Sequence, residues 1–246
     1  ENYKIQVTNS TDKDKSKKYI NYLYKKLQRK GVLEAECNKL VKTDRVTWGS
    51  CMVACGDADG MVAGNTRHYA ATVDKLMQSI GSRDDEIVFG LCVFVNRGRT
   101  IVIADTNVIE YPTSEELASI AKSSARVAKL LGLDPKIAFL SHSTFGQPET
   151  DRTKRISKAV EMLKDEKVDF LFDGEMQPDV ALNNKYKGTY SFSNIVGSAN
   201  VLVMPSIHAA AISIKMLKEL SRGKVFGPLL IGLAQPIEVA PLRSSS

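Results

Sequence analysis

The chain has 246 residues, 43% of them hydrophobic and 25% charged, a composition typical of a folded globular protein with one large domain or two smaller lobes. No apolar run approaches the ~18 residues needed to cross a bilayer, and the first ten residues contain no apolar signal core, so we expect a cytosolic protein without a membrane anchor. The net charge of +6 favours anionic partners only weakly, and no nucleic-acid-binding motif accompanies it.

The first third of the chain predicts a short strand followed by a group of helices. Glycines at 31, 56 and 81 end three of the helical patterns. Tyr19, Tyr22 and Leu23 recur at helical spacing in a lysine-rich segment, which indicates a buried face opposite a solvated one. The predicted elements are a strand over residues 5–9, helices over 15–30, 33–42 and 44–55, a strand over 61–64 and a helix over 67–80.

The rest of the chain alternates strands and helices. Apolar runs at 87–95 and 100–105 flank the turn NRGR and predict a hairpin. Thr113 and Glu116 form the capping box of a long helix that ends at Gly132. The alternation continues to the end and predicts an α/β fold, a mainly parallel sheet with helices on both faces. Polar residues 82–86 predict a lobe boundary, and residues 183–193 predict a partly disordered surface loop.

Polar turns follow the apolar strands within residues 136–145, 168–182 and 201–210. Such strand ends present ligand-binding groups in open α/β sheets. Ser141, Ser143, Thr144 and Gly146 therefore predict a cradle of hydroxyl and backbone N–H groups for a phosphate or carboxylate, close to the start of a helix over residues 151–164. An ordinary hydrogen-bonded turn is the alternative.

Three other kinds of site are considered from the residue types: a cation site, a serine hydrolase site and a zinc site. Asp173, Glu175 and Asp179 could hold a hard cation, although capping and salt bridges explain them equally well. His142 cannot easily serve either neighbouring serine, because adjacent strand residues point to opposite faces, and no G-x-S-x-G elbow is present. Of the four cysteines only Cys51 lies near another, and without a second ligand pair we expect buried thiols rather than a zinc site.

Six segments in this order resemble the phosphate acetyl/butyryltransferase family: GDADGMVAG, ADTNVIEYPTSEELASIA, KIAFLSHSTFG, FLFDGEMQPDVAL, GSANVLVMPSIHAAAISIKML and GPLLIGLAQPI. Within that family, SHSTFG, DGEMQPD and VMPSIHAAAIS are most similar to the phosphotransacetylase-like C-terminal domain of hybrid NADP-dependent malic enzymes.

The resemblance implies a two-lobed, three-layer α/β/α protein that binds CoA or acetyl-CoA between its lobes. The first lobe would comprise residues 1–85 and 231–246 and be incomplete, the second would comprise 86–230, and the chain would be part of a longer polypeptide. The implied ligand contacts are Arg67, Ser141, Ser143, Thr144, Gly146, Asp173, Gly174 and Glu175.

Departures from the family pattern bear on catalysis. Phosphotransacetylases resembling this chain carry an arginine where Asp74 stands and a Ser-Arg pair where Pro241 and Leu242 stand, with Arg243 one place late. The resemblance therefore implies a regulatory and assembly domain without catalytic or metal-binding residues of its own, with acetyl-CoA as effector. An active phosphate acetyltransferase is the alternative, and a purely structural oligomerisation domain is a third.

The remaining partners follow from the resemblance alone. Malate, NADP and a divalent metal, Mg²⁺ or Mn²⁺, would bind a malic-enzyme catalytic domain in the same polypeptide, which would oxidatively decarboxylate malate to pyruvate. A homo-oligomer is also expected, with neither nucleic acid nor membrane as a partner.

Overall fold

The computed structural model describes residues 6–242, apart from the side chain of Lys187, and divides the chain into two compact units, Glu1–Asp85 with Leu233–Ser246 and Glu86–Gly232. Short 3-10 helices lie at Gln28–Lys30 and Asn184–Gly188. The other elements are, in chain order, α1 (Lys13–Leu27), α2 (Glu34–Thr43), α3 (Arg45–Ala54), β1 (Met61–Gly64), α4 (Tyr69–Ser79), β2 (Phe89–Asn96), β3 (Arg99–Ala104), α5 (Ser114–Leu130), β4 (Lys136–Leu140), α6 (Asp151–Glu166), β5 (Leu171–Met176), α7 (Pro178–Leu182), β6 (Val201–Val203), α8 (Ile207–Leu220), β7 (Lys224–Ile231) and β8 (Ile237–Ala240).

The first unit packs four helices beside a two-stranded parallel sheet of β1 and β8. Tyr19 and Leu23 of α1 are buried against Trp48 of α3, as the helical spacing predicts. The predicted strand over residues 5–9 is wrong in its described part, because Gln6–Asn9 pair with no strand and Val7 is 86% exposed. Ile5 lies outside the described residues. Residues 6–9 have no strand partner in the described part of the chain, and the chain continues from them into α1.

The second unit contains a six-stranded sheet in the order β5-β4-β6-β3-β2-β7. The neighbours β5-β4, β4-β6 and β6-β3 are parallel, whereas β2 is antiparallel to both β3 and β7. The predicted hairpin between β2 and β3 is confirmed, with Arg97 and Gly98 in the left-handed region at its turn. The parallel half of the sheet is therefore the part in which several strand ends meet at one edge.

Helices cover both faces of this sheet. Alternate strand residues such as Ile137 and Phe139 pack with α5 and α6, while Ala138 and Leu140 face the cluster that includes residues of α7 and α8. The three-layer α/β prediction is confirmed. The capping box is present as well, since Thr113 Oγ1 accepts from the Glu116 backbone N–H, and the Glu116 carboxylate accepts from the Thr113 N–H.

The segment at residues 183–193 differs from the expected partly disordered loop. It contains the 3-10 helix Asn184–Gly188, and its aromatic side chains pack on the turn after β4. The Phe145 ring centroid lies 5.5 Å from that of Tyr190 and 4.8 Å from that of Phe192. These aromatic contacts, which join the segment to the rest of the second unit, are not evident from its polar composition.

Among residues 6–242 there is no helix both long enough and apolar enough to span a membrane.

Candidate functional site

The carboxyl ends of β4, β5 and β6 meet at one edge of the second unit's sheet. The turn after β4 carries Ser141, Ser143 and Gly146, β5 carries Glu175 near its end, and Ser206 follows β6 as the N-cap of α8. Parallel pairing of the three strands fixes these groups at a common edge, as the sequence pattern predicts.

The Glu175 carboxylate lies inside the turn after β4. Its Oε1 accepts hydrogen bonds from Ser143 Oγ at 3.1 Å and from the Gly146 backbone N–H at 2.6 Å, and Oε2 accepts from Ser157 Oγ of α6. Glu175 is 1% exposed and Ser143 is fully buried. Two donors of the predicted anion cradle therefore already hold an anion, one that the chain itself supplies.

The other predicted contacts in this unit also have partners within it. Ser141 Oγ lies 2.8 Å from Ser143 Oγ, and Thr144 Oγ1 accepts from the Gln177 backbone N–H. Gly174 lets β5 approach β4 closely, since a Cβ there would lie 2.8 Å from the Cβ of Phe139. These residues form one connected turn, and their direct contact with a ligand stays a prediction.

The acidic residues of this edge bind protein donors. Asp173 accepts from the backbone N–H groups of Gly174, at 2.9 Å, and Asn194, at 2.7 Å. Asp179 lies separately in the first turn of α7. No group of three His, Cys, Asp or Glu side chains within residues 6–242 is arranged to hold a metal ion, and the alternative of a cation at Asp173, Glu175 and Asp179 stays untested.

The histidine of the turn is separated from the serines beside it. His142 is exposed, whereas Ser141 and Ser143 are buried and face each other. The alternation therefore keeps the imidazole away from both hydroxyl groups, which is the reason the sequence argued against a serine hydrolase.

A cavity of about 310 Å³ adjoins Ser141 on the same edge. Arg152 and Arg155 of α6 line it together with Ser206, and the rest of its wall is mainly apolar. The lining contains two guanidinium groups and no carboxylate. This arginine pair was not predicted from the sequence, although the Arg-x-x-Arg spacing in the helix after SHSTFG places both side chains on one helix face.

The two arginines have few partners. Arg155 Nη2 donates to the Pro205 carbonyl at 3.0 Å, but its Nε is buried without a hydrogen-bond partner. Arg152 lies with its guanidinium carbon 5.9 Å from the centroid of the Tyr111 ring. Burial lowers the pKa of Arg155, and the charge of Arg152 lowers it further. Within residues 6–242 neither forms a salt bridge, so no carboxylate pairs directly with the two guanidinium groups of this pocket.

Arg67, the remaining predicted contact, belongs to the first unit and has a structural partner there. Its Nη1 lies 2.7 Å from Asp44 Oδ1, which also lies 2.7 Å from Lys75 Nζ. Asp44 is 6% exposed and caps α3 by accepting from the Thr47 N–H and hydroxyl. Arg67 therefore compensates a buried carboxylate.

Asp44 makes the first unit sensitive to acid. Burial by itself raises the pKa of Asp44, but hydrogen bonds from Lys75 and Thr47 outweigh it and hold the pKa below the ordinary value. A depressed carboxyl pKa contributes stability above the unfolded-state pKa and loses it as pH falls through the folded-state pKa.

Replacement of Asp44 by asparagine is expected to lower the free energy of unfolding by about 1 to 3 kcal/mol at neutral pH. The deficit should begin to shrink below about pH 4, where the unfolded-state carboxyl becomes protonated, and should shrink further as the pH falls through the lower folded-state pKa of Asp44. Urea unfolding followed by fluorescence of Trp48, the only tryptophan, measures it. Asp74→Asn, an exposed change on α4, is the control, and a deficit independent of pH would contradict the charge argument.

Comparison with known proteins identifies the family of this chain. Residues 1–244 match the family described as phosphate acetyl/butaryl transferase. The chain belongs to that family. It is 45% identical over 240 residues to the NADP-dependent malic enzyme of Rhizobium meliloti (strain 1021), a match that covers 98% of this chain and 32% of that enzyme.

Other members of the phosphate acetyl/butaryl transferase family match over most of their own length. The phosphate acetyltransferase of Acetivibrio thermocellus is 30% identical over 247 residues, with 95% of this chain and 73% of that protein covered. The EutD phosphotransacetylase from Staphylococcus aureus superposes with a TM-score of 0.84 at 27% identity, covering 98% of this chain and 74% of that one. The chain thus spans about a third of the length of the malic enzyme and about three quarters of these transferases.

The departures from the transferase pattern that the resemblance predicts lie partly within the described residues. Asp74, where the resemblance predicts a guanidinium in the transferases, is exposed on α4 of the first unit. Pro241 and Leu242 follow β8, and Arg243 lies outside the described residues.

Proposed function

We propose that the chain is the phosphotransacetylase-like domain of an NADP-dependent malic enzyme, that it binds acetyl-CoA as an effector, and that it transfers no acetyl group itself. The malic-enzyme relatives support the first part, because they match 98% of this chain but only about a third of their own length. In this proposal the other part of the polypeptide binds malate, NADP and Mg²⁺ or Mn²⁺, and the whole assembles as a homo-oligomer.

The proposal rests mainly on the residue at position 74 of the first unit, where the resemblance predicts an arginine in the transferases. Asp74 replaces the guanidinium of the transferase pattern, and the nearby Arg67 is held by the buried Asp44. Acyl transfer between a thioester and phosphate develops negative charge, and loss of one positioned donor costs roughly 10² to 10³ in rate. A domain without that charge retains a fold able to bind ligand while losing the reaction.

An active phosphate acetyltransferase is the second candidate. It is favoured by the similarity to the Acetivibrio thermocellus and Staphylococcus aureus proteins over about three quarters of their length. The two candidates differ in their use of acetyl-CoA. The regulatory domain would bind it as an effector, whereas the transferase would consume it as a substrate.

Malate-dependent NADPH formation by the full-length polypeptide tests the effector role. Acetyl-CoA is expected to change the rate in a saturable manner, with a coupling between the sites of about 5- to 150-fold in affinity. CoA and acetate added separately are the controls, since neither is the intact thioester. A rate that stays constant while calorimetry shows acetyl-CoA bound would contradict the effector role, and absence of binding would contradict the ligand assignment.

A further inference from the structure

We propose that Arg152 and Arg155 form a binding site for the phosphoryl group of a phosphate ester or diphosphate, within the cavity beside Ser141. The site lies wholly in the second unit and contains none of the groups that bind Glu175. The identity of the natural ligand rests on the proposed function, whereas the site itself does not.

The charge balance of the cavity is the first argument. Its lining includes two guanidinium groups and no carboxylate, and within the described part of the chain neither arginine has an ion-pair partner. The lysines of the same helix differ, because Lys154 pairs with Glu149 at 2.8 Å and Lys158 with Glu115 at 3.4 Å. Two adjacent unpaired cations repel each other, and a bound anion would remove that cost.

The available donors are the second argument. Arg155 has a buried Nε without a partner and uses Nη2 on the Pro205 carbonyl, which fixes the side chain beside the cavity. Arg152 lies at the Tyr111 ring and, within residues 6–242, forms no ion pair with a carboxylate. Guanidinium groups bind phosphate oxygens through two parallel N–H donors, so a pair of them suits a dianion.

The surroundings of the arginines are the third argument. Ser206, in the cavity lining, is the N-cap of the 14-residue helix α8, whose N-terminus adds partial positive charge. Glu116 acts electrostatically on Arg155, and its carboxylate also accepts from the Thr113 N–H at 2.7 Å. A volume of about 310 Å³ accommodates more than one phosphoryl group.

Calorimetric titration of the full-length polypeptide with inorganic pyrophosphate, and separately with acetyl-CoA, tests the site. Arg152→Ala and Arg155→Lys are each expected to weaken binding by about 10- to 100-fold, the loss of one charge-assisted contact or of its bidentate geometry. The double variant Lys154→Ala/Lys158→Ala is the matched control, because it removes two cations from the same helix outside the cavity. Arg152→Ala keeps the test valid if changes at Arg155 unfold the domain, since Arg152 is exposed.

The outcomes separate the two proposals. Weaker binding of both ligands in the arginine variants but not in the lysine control supports the site and assigns the coenzyme diphosphate to it. Pyrophosphate binding that depends on the arginines, without acetyl-CoA binding, supports the site for a free anion and contradicts the proposed function. Binding of both ligands unchanged in both arginine variants overturns the site and leaves the proposed function standing. Weaker pyrophosphate binding with unchanged acetyl-CoA binding supports the site for a free anion and places acetyl-CoA elsewhere. No binding of either ligand overturns both.

Discussion

Replacement of Glu175 by alanine is expected to destabilise the second unit by about 3 to 5 kcal/mol. The change removes a carboxylate that is 1% exposed, leaves the Gly146 N–H without this acceptor, and takes one acceptor from each of Ser143 and Ser157. Buried donors that lose a charged acceptor retain their full desolvation cost. Denaturant unfolding of the 246-residue chain, followed by circular dichroism, measures the loss.

Two further variants serve as comparisons for Glu175→Ala. Glu175→Gln retains an acceptor for Ser143 and Gly146, so it should cost about half as much. Glu161→Ala removes an exposed carboxylate from α6 and should cost less than about 0.5 kcal/mol. A Glu175→Ala protein as stable as wild type would show that the turn after β4 does not need an internal anion, and would restore that turn as a candidate ligand cradle.

Replacement of Asp105 by asparagine is expected to cost about 2 to 4 kcal/mol despite the similar shape of the two side chains. Asp105 is 2% exposed, follows β3, and accepts hydrogen bonds from the backbone N–H groups of Gly90, Asn107, Val108 and Ile109. All four partners are donors. An amide nitrogen in place of either oxygen would face an N–H group, so that donors would oppose each other.

Asp169→Asn provides the control for the Asp105 experiment. Asp169 forms an exposed ion pair with Lys129, and exposed pairs contribute little to stability. Thermal and denaturant unfolding of both variants should separate them clearly. If Asp105→Asn unfolds within about 0.5 kcal/mol of wild type, the four-donor arrangement is not a main determinant of the β3 turn.

The local signals in the sequence predicted the elements well. The helix ending at Gly31 and the helix opened by Thr113 and Glu116 depend on neighbouring residues only, so glycine conformation and a capping box are sufficient to place them. The strand predicted at residues 5–9 depended on a partner strand, and a local alternating pattern carries no information about that partner.

The candidate site was only partly predictable because its groups are distant in sequence. The turn residues Ser141 and Ser143 were recognisable from a strand followed by hydroxyl groups, but the occupant of that turn, Glu175, comes 32 residues after Ser143. Likewise, the position of the Arg155 side chain depends on a hydrogen bond to the carbonyl of Pro205, 50 residues later. Helical spacing places Arg152 and Arg155 on one face, yet only the packing of β6 and α8 makes that face the wall of a cavity.

The most direct test of the account is an assay of acetyl-CoA formation from acetyl phosphate and CoA by the full-length polypeptide, with an active phosphate acetyltransferase run in parallel. The resemblance predicts that Asp74 stands at the arginine position of the transferase pattern, and Arg67 is bound to Asp44, so we expect no turnover by folded protein that binds acetyl-CoA. Robust turnover would contradict it and identify the domain as a working transferase.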